Sequence, residues 1–306
     1  MSRATREAYG QTLVELVNEG HDIVAVDADL AGSTKLVDLQ KAFPQRMVDV
    51  GIAEQHAVTF AAGMACDGLV PVVAIYSTFL QRAYDQLLHD VALQDLPVVF
   101  ALDRSGLVGA DGATHAGVYD YAFLRCVPNM VIMAPADENE CRQMLYSAVR
   151  YHAPVAVRYP RGTGPGVPVQ KEFTELPRGK AEVRRQGKRI AILAFGSMVA
   201  PAMTAGEALD ATVVNMRFVK PIDAEAIVTS ATKTGAVVSA EEHSILNGLG
   251  SAVAEVLGEN LPVPLERIGT RDIFGLSGTM DELFDYFGLR AENIADAARR
   301  AISRKA

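Results

Sequence analysis

Short apolar runs alternate along the chain with longer segments whose apolar residues recur at helical spacing. Thr5–Asn18 places Tyr9, Leu13 and Leu16 on one helical face, and the apolar run Asp22–Val26 follows it. The same alternation then predicts the strands Pro71–Tyr76, Leu96–Leu102, Met130–Met133 and Val155–Tyr159 and the helices Ala53–Cys66, Leu80–Ala92 and Asp137–Tyr151. Strands that are apolar throughout and separated by helices are typical of a parallel sheet covered on both faces.

A second series of the same kind follows a stretch rich in glycine and proline, which shows little periodicity. This series predicts the strands Ile190–Ala194, Thr212–Asn215, Ala236–Ala240 and Val263–Ile268 and the helices Ala202–Leu209, Ala224–Ser230, Leu249–Leu257 and Met280–Phe287. We therefore predict an α/β protein with two three-layer α/β/α domains and mainly parallel sheets. The expected domains span residues 1–165 and 187–306, and residues 166–186 form the expected linker.

Composition narrows the class of protein. The 306 residues are 49% hydrophobic, which is enough for two cores, and 37 acidic against 29 basic residues give a net charge of −8. This acidity argues against a nucleic-acid partner, and no apolar run is long enough to predict a membrane span. Three cysteines without a CxxC pair argue against a disulfide framework or a zinc site, so we expect a cytoplasmic protein.

Glu54 is the first candidate for chemistry. It stands where a strand is expected to give way to the helix Ala53–Cys66, with Ile52 before it and apolar residues after it. Burial disfavours a charged carboxylate, so this side chain is suited to accept or donate a proton. The alternative is an ordinary carboxylate at a helix N-terminus, stabilised by the helix dipole.

A glycine-rich loop, residues 103–117, is the second candidate. It follows the carboxyl end of a predicted strand, where open parallel sheets bind their ligands. It contains Arg104, Asp111 and His115, and a histidine near an aspartate can transfer protons. The alternative is a solvated loop whose histidine has no role.

Two further strand ends contain candidate binding residues. Phe79 could stack on a planar ring and Arg82 could reach an anion, unless they are a core phenylalanine and a solvated arginine. Arg161, just beyond another strand, could hold a phosphate or carboxylate, or could be a linker arginine. In the second half, Asn247–Gly250 and the run Glu241–His243 are expected to form a capped turn before a helix rather than a site.

Several long strings resemble the 1-deoxy-D-xylulose-5-phosphate synthase family of thiamine-diphosphate enzymes. The matching segments are residues 49–63, 73–86, 106–112 and 156–162. The flanks resemble the carboxy-terminal component of two-subunit transketolases, in the same superfamily, over residues 26–35, 241–255 and 271–278. The resemblance covers nearly the whole chain.

The resemblance implies a role for each candidate residue. Glu54 matches the glutamate that hydrogen-bonds the aminopyrimidine ring of thiamine diphosphate, and Phe79 matches the residue that stacks on that ring, with Ile52 and Arg82 in the same pocket. Asp111 and His115 match substrate-side groups, with His115 as a proton shuttle. Tyr76, Arg104 and Arg161 match residues around the phosphate of a sugar-phosphate substrate.

One departure from the superfamily pattern concerns the metal. Its members bind Mg²⁺ and the diphosphate through a Gly-Asp-Gly motif, and this motif is absent from the sequence. The resemblance therefore implies that this chain holds only the pyrimidine end of the cofactor and has no metal ligand of its own. A separately encoded partner would supply Mg²⁺, in a homodimer or heterotetramer; the start Met1–Thr5 favours such a natural split over a fragment.

Three functions stay open at this point. The central strings favour a synthase that joins a two-carbon unit from pyruvate to glyceraldehyde 3-phosphate. The flanks favour the carboxy-terminal subunit of a two-component transketolase, which transfers ketol units between sugar phosphates. The third alternative is a non-catalytic scaffold subunit.

Overall fold

The computed structural model describes residues 4–305, so the expectations that rest on Met1, Ser2 and Arg3 lie outside the described residues. The helices are α1 (Thr5–Asn18), α2 (Val37–Ala42), α3 (Glu54–Cys66), α4 (Ser77–Leu80), α5 (Tyr84–Gln86), α6 (Asp120–Arg125), α7 (Glu138–Arg150), α8 (Val199–Leu209), α9 (Ala224–Thr234), α10 (Leu249–Asn260), α11 (Met280–Phe287) and α12 (Ala291–Ser303). The strands are β1 (Ile23–Asp27), β2 (Met47–Asp49), β3 (Val70–Tyr76), β4 (Val99–Asp103), β5 (Val131–Met133), β6 (Val155–Arg158), β7 (Glu182–Arg185), β8 (Ala191–Ala194), β9 (Thr212–Asn215), β10 (Phe218–Lys220), β11 (Val237–Ser244) and β12 (Leu265–Thr270). No helix in this part of the chain is long and apolar enough to cross a membrane.

Seven strands form the first sheet, in the order β10–β5–β6–β4–β3–β1–β2. All neighbouring pairs are parallel except β10 with β5. Successive side chains of a strand point to opposite faces. Val72 accordingly belongs to the apolar cluster that contains α1 and α7 residues, and Val73 to the cluster that contains α3 residues. The sheet is thus covered on both faces.

Five strands form the second sheet, in the order β12–β11–β8–β9–β7, and only β7 is antiparallel to its neighbour. Ile192 of β8 packs in a cluster with α8 and α12, and Leu193 packs in a cluster with α9 and α10. Two three-layer α/β units with mainly parallel sheets confirm the predicted fold class. The cluster around α9 and α10 continues into the α3 face of the first sheet, so the two units share one apolar core.

The segment between the units is ordered by contacts that its composition does not suggest. Leu176 is buried, and its N–H donates to Ser147 Oγ of α7 at 2.8 Å. The predicted linker ends in β7, a charged edge strand whose only apolar residue, Val183, is half-exposed. In addition, β10 of the second half extends the first sheet at its edge. The domain limits at 165 and 187 stay a prediction.

Glu140 of α7 joins the two units through its buried carboxylate. It accepts hydrogen bonds from Asn215 Nδ2 at 2.9 and 3.0 Å and from Arg217 Nε at 2.7 Å, both near the end of β9. It also accepts from the backbone N–H of Ala136 at 2.7 Å. The side chain is only 4% exposed, and its oxygens are fully used.

We expect Glu140→Ala to lower the free energy of unfolding by about 2–3 kcal/mol, because it leaves the buried Asn215 amide without its acceptor and Arg217 with Glu182 as its remaining partner. Urea denaturation measures this loss. Glu182→Ala is the matched control, because Glu182 also bonds Arg217 at 2.7 Å but is 37% exposed. Its removal should cost about 1 kcal/mol or less. Equal losses of stability in the two variants would contradict the role of Glu140 as the buried link between the two units.

Candidate active site

A cleft of about 350 Å³ lies at the carboxyl edge of the first sheet, next to β1 and β3. Its lining residues are Ala28, Asp29, Leu30, Ile52, Glu54, Thr78, Phe79 and Arg82. Parallel strands bring the loops that follow them to one edge, which explains why residues distant in sequence meet here. Four of the eight residues are apolar, and the charged ones are Asp29, Glu54 and Arg82, of which Glu54 and Arg82 face each other.

Glu54 is the first residue of α3 and is only 5% exposed. Its Oε2 lies 3.5 Å from Nη1 of Arg82, whose side chain is 62% exposed. The turn before α3 is shaped by Asp49, whose Oδ1 accepts from the N–H of Gly51 at 2.8 Å. That turn leaves Ile52 71% exposed beside the carboxylate. The cleft therefore offers one buried acid between an exposed apolar side chain and an aromatic ring.

A row of rings connects this cleft to the glycine-rich loop. Phe79 stacks on Tyr76, with ring centroids 5.1 Å apart, and His115 meets Phe79 edge-on at 5.4 Å. The guanidinium of Arg104 lies over the Tyr76 ring, 3.9 Å from its centroid. His115 of the loop is thus next to the cleft that contains Glu54.

Arg104 and Arg161 converge on Asp111. The Oδ2 of Asp111 is 2.8 Å from Arg161 Nη1 and 3.5 Å from Arg104 Nε. Arg104 also bonds Asp103 at 3.0 Å and has a left-handed backbone, with φ +59°. A non-glycine residue held in this region is strained, and such strain is concentrated at functional sites.

All nine residues selected from the sequence lie in this one region. Ile52, Glu54, Phe79 and Arg82 line the cleft; Arg104, Asp111 and His115 belong to the glycine-rich loop, and Tyr76 and Arg161 contact it. Their individual roles stay predictions. The pairing of Asp111 with both arginines was not predicted, nor was the contribution of Thr78 and Asp29 to the cleft.

A buried polar cluster beneath the loop was also missed. Arg158 donates from Nε to both carboxylate oxygens of Asp120, at 2.8 and 3.0 Å, and each residue is at most 4% exposed. Glu241, Glu242 and His243 of β11 reach this cluster from the second unit and are also buried. Residues 4–305 contain no group of three or more His, Cys, Asp or Glu side chains arranged to hold a metal.

The run Glu241–His243 lies within β11 rather than in the expected turn, but the Glu241 carboxylate caps the start of α10. Its two oxygens accept from the N–H groups of Leu249 and Gly250 at 2.7 and 2.8 Å, at the start of α10. Burial nevertheless raises the pKa of Glu241 to about 7.

His243 is held as a neutral ring. Its Nδ1–H donates to the Ser244 carbonyl at 2.8 Å, and its Nε2 accepts from the Tyr121 N–H at 3.1 Å. A proton on Nε2 would face that N–H, and burial lowers the pKa of His243 to about 4.

Comparison with known proteins places the chain in a family. Residues 1–166 match the family model "Transketolase, pyrimidine binding domain", and residues 179–294 match "Transketolase, C-terminal domain". The chain belongs to the transketolase pyrimidine-binding-domain family, which confirms the resemblance to thiamine-diphosphate enzymes found in the sequence.

The similar proteins are synthases and a split transketolase. The chain is 53% identical to 1-deoxy-D-xylulose-5-phosphate synthase of Nitrosomonas eutropha over 98% of its own length and 50% of that protein. It is 56% identical to the synthase of Burkholderia pseudomallei over 96% of its own length and 47% of that protein. It thus spans about half the length of these curated relatives. A solved structure described as a split gene transketolase, inactive beta4 tetramer, is 38% identical, with a TM-score of 0.88 and full coverage of both chains.

The two buried groups of β11 predict opposite pH dependences. An unfolded histidine binds a proton below about pH 6.5, but folded His243 does so only near pH 4, so its contribution to stability falls as the pH drops. Glu241 has a raised pKa, so its contribution is larger at low pH and is lost as the pH rises towards 7.

The parent chain loses the contribution of His243 as the pH falls from 7 to 4.5, and His243→Gln has no such loss. We therefore expect the free energy of unfolding of His243→Gln, relative to that of the parent chain, to rise by up to about 3 kcal/mol over this range. Glu241→Gln should change in the opposite direction. Urea unfolding at both pH values measures these differences, in which unchanged carboxylates cancel. Parallel stability profiles for parent and variants would contradict the assignment.

Proposed function

We propose that this chain is the pyrimidine-binding half of a thiamine-diphosphate-dependent enzyme similar to 1-deoxy-D-xylulose-5-phosphate synthase. The observation that carries the proposal is Glu54, a buried carboxylate in an apolar cleft next to Phe79. Synthases that are 53% and 56% identical over nearly the whole chain support the same reaction class. Because those relatives are twice as long, this chain would supply half of the site.

The cleft fits the pyrimidine end of the cofactor. A planar aminopyrimidine needs a flat apolar surface and a hydrogen-bonding acid at its edge, and Phe79, Ile52 and Glu54 offer these in one cleft. When bound, thiamine diphosphate supplies the electron sink for a carbanion next to a carbonyl. Glu54 would share a proton with the ring edge, and Nη1 of Arg82 lies 3.5 Å from its carboxylate.

We assign the diphosphate end and Mg²⁺ to another polypeptide or to the remaining half of a longer one. The absence of a Gly-Asp-Gly motif and the half-length match to the synthases support this assignment. The split transketolase that is similar over the full length supports a separately encoded diphosphate-binding subunit, in a homodimer or heterotetramer. The predicted cytoplasmic location is part of this proposal.

The loop and its arginines would act on the substrate side. Arg104 and Arg161 place two guanidinium groups around one carboxylate oxygen of Asp111, an arrangement that also suits a phosphate oxygen. His115, adjacent to Phe79, is placed to hold or transfer a proton near the cleft. The proposed substrates are pyruvate and glyceraldehyde 3-phosphate.

Two alternatives have specific support. The flanking strings and the 38% identical split transketolase favour ketol transfer between sugar phosphates. The word "inactive" in that structure's description, which refers to its tetramer of one chain type, is consistent with a subunit that needs a partner or with a scaffold.

We expect Glu54→Gln to lower the turnover of the enzyme reconstituted with its diphosphate-binding chain by about 10²–10⁴-fold, as for loss of an acid–base group. Glu292→Gln is the matched control, because Glu292 is an exposed carboxylate in the first turn of α12. Unfolding measurements separate the alternative role: a carboxylate that only stabilises a helix end would change stability by about 0.3–1 kcal/mol and leave turnover intact. An unchanged rate in Glu54→Gln would support the scaffold.

A substrate assay distinguishes the two reactions. We expect the reconstituted enzyme with Mg²⁺ and thiamine diphosphate to release CO₂ from carboxyl-labelled pyruvate when glyceraldehyde 3-phosphate is present. Arg161→Met should raise the KM for the phosphorylated aldose by about tenfold or more, because one charged hydrogen bond is lost. Exchange of ketose phosphates without release of CO₂ would replace the synthase by the transketolase reaction.

A further inference from the structure

We propose that Glu242 of the second unit is a positioning residue, which fixes the loop Gly106–Gly117 and so places Asp111 and His115 at the cleft. The catalytic consequence rests on the function proposed above, but the contact itself does not. The inference gives the second unit a part in the site, where the sequence predicted only a capped turn.

The carboxylate of Glu242 holds the start of the loop. Its Oε1 accepts from the N–H of Leu107 at 2.8 Å, and its Oε2 accepts from the hydroxyl of Ser197. Glu242 is only 2% exposed, and a charge-assisted hydrogen bond is strong where water is excluded. Gly106 has φ +104°, and a Cβ there would overlap the Glu242 carboxylate. The backbone thus approaches this side chain as closely as only glycine allows.

The same residue helps to hold the end of the loop. Gly106 and Gly117 exchange two backbone hydrogen bonds of 2.8 and 2.9 Å, which close the base of the loop. Arg158 donates from Nη2 to the Gly117 carbonyl at 2.8 Å and to the Glu242 carbonyl at 3.0 Å. Glu242 therefore contacts one end of the loop through its side chain and is linked to the other end through Arg158.

The outer side of the loop also rests on the second unit. A Cβ at Gly112 would overlap Ser277 Oγ, and Gly275 is so close to Ala116 that a Cβ would lie 2.7 Å from the alanine methyl. Asp111 directly precedes Gly112, and His115 directly precedes Ala116. If the Glu242 carboxylate is removed, the buried Leu107 N–H loses its acceptor, and the loop can recover a hydrogen bond only by moving towards water.

Glu241 provides a matched control within the same strand. Glu241 and Glu242 are neighbours in β11 with different partners: Glu241 bonds the start of α10, and Glu242 bonds the loop. The two side chains are of one type and are both buried. A general effect of removing a buried carboxylate would appear in both variants, whereas an effect on the loop should appear in one.

Hydrogen–deuterium exchange of the full chain tests the contact. We expect Glu242→Ala to speed amide exchange in peptides from residues 106–117 by tenfold or more. Glu241→Ala should instead speed exchange near residues 249–252. In Glu242→Gln the rate of amide exchange in residues 106–117 should stay within about threefold of the rate in the parent chain. The glutamine amide keeps an acceptor for the Leu107 N–H and a partner for the Ser197 hydroxyl. If the alanine variant does not fold, Ser197→Ala, which removes one partner of the carboxylate, should raise loop exchange above the parent value.

Loop exchange that is unchanged in Glu242→Ala, or in Ser197→Ala if that variant must be used, would overturn the proposal. Equal acceleration by Glu241→Ala would overturn it as well. In the reconstituted enzyme, Glu242→Ala should lower kcat at least tenfold, with rescue by Glu242→Gln. A full kcat in the alanine variant would overturn the positioning role. Absence of turnover in the parent enzyme would instead count against the proposed function, and the exchange result would still decide the contact.

Discussion

The guanidinium of Arg158 links the parts of this protein that must keep a fixed relation. It lies at the end of β6, is 4% exposed, and bonds Asp120 at the start of α6, the carbonyl of Gly117 at the end of the loop and the carbonyl of Glu242. A buried charge is tolerated only when it is paired and its hydrogen bonds are satisfied. Any movement of the loop or of the second unit would break one of these bonds, so one desolvated cation constrains both.

Strand geometry explains how β11 serves two purposes within three residues. Glu241 and His243 point to one face and lie 3.8 Å apart, while Glu242 points to the other face, towards Leu107 and Ser197. The first face meets α10 and Tyr121, and the second meets the loop. All three side chains are buried, so each depends on its hydrogen-bond partners in place of water.

The parts of the fold that were predicted from the sequence are those set by local patterns. β1 and β8 were found because each is a short run that is almost wholly apolar, and α3 because it is a longer segment between two such runs. The cleft residues were found because each stands near the end of a predicted strand, and because the family resemblance assigns them to one pocket. β7, with one apolar residue in four, and the three-residue β10 have no such pattern and exist through pairing with distant strands.

The same reason explains the residues that were missed. Glu242 and Leu107 are 135 residues apart, and nothing local to Glu242 distinguishes it from Glu241. The helix expected at Leu80–Ala92 begins instead at Ser77 and continues as separate turns, among them Gln81–Ala83 and Leu87–Ala92. That segment packs against α3, and a single sequence does not record this contact.

The exposed surface at the cleft is the strongest physical reason to regard the site as half of a larger one. Ile52 is 71% exposed although it stands one residue from the helix that buries Glu54, and Phe60 of α3 is 37% exposed on the outside of that helix. Exposed apolar side chains, such as Ile52 in the wall of the cleft, gain free energy when another surface covers them, about 25 cal/mol for each Å² buried. In the function proposed above, the part that binds the diphosphate end of the cofactor, on another polypeptide or on the remaining half of a longer one, would cover Ile52 as it completes the site. Excluding water there would strengthen the interaction of Glu54 with the ring edge.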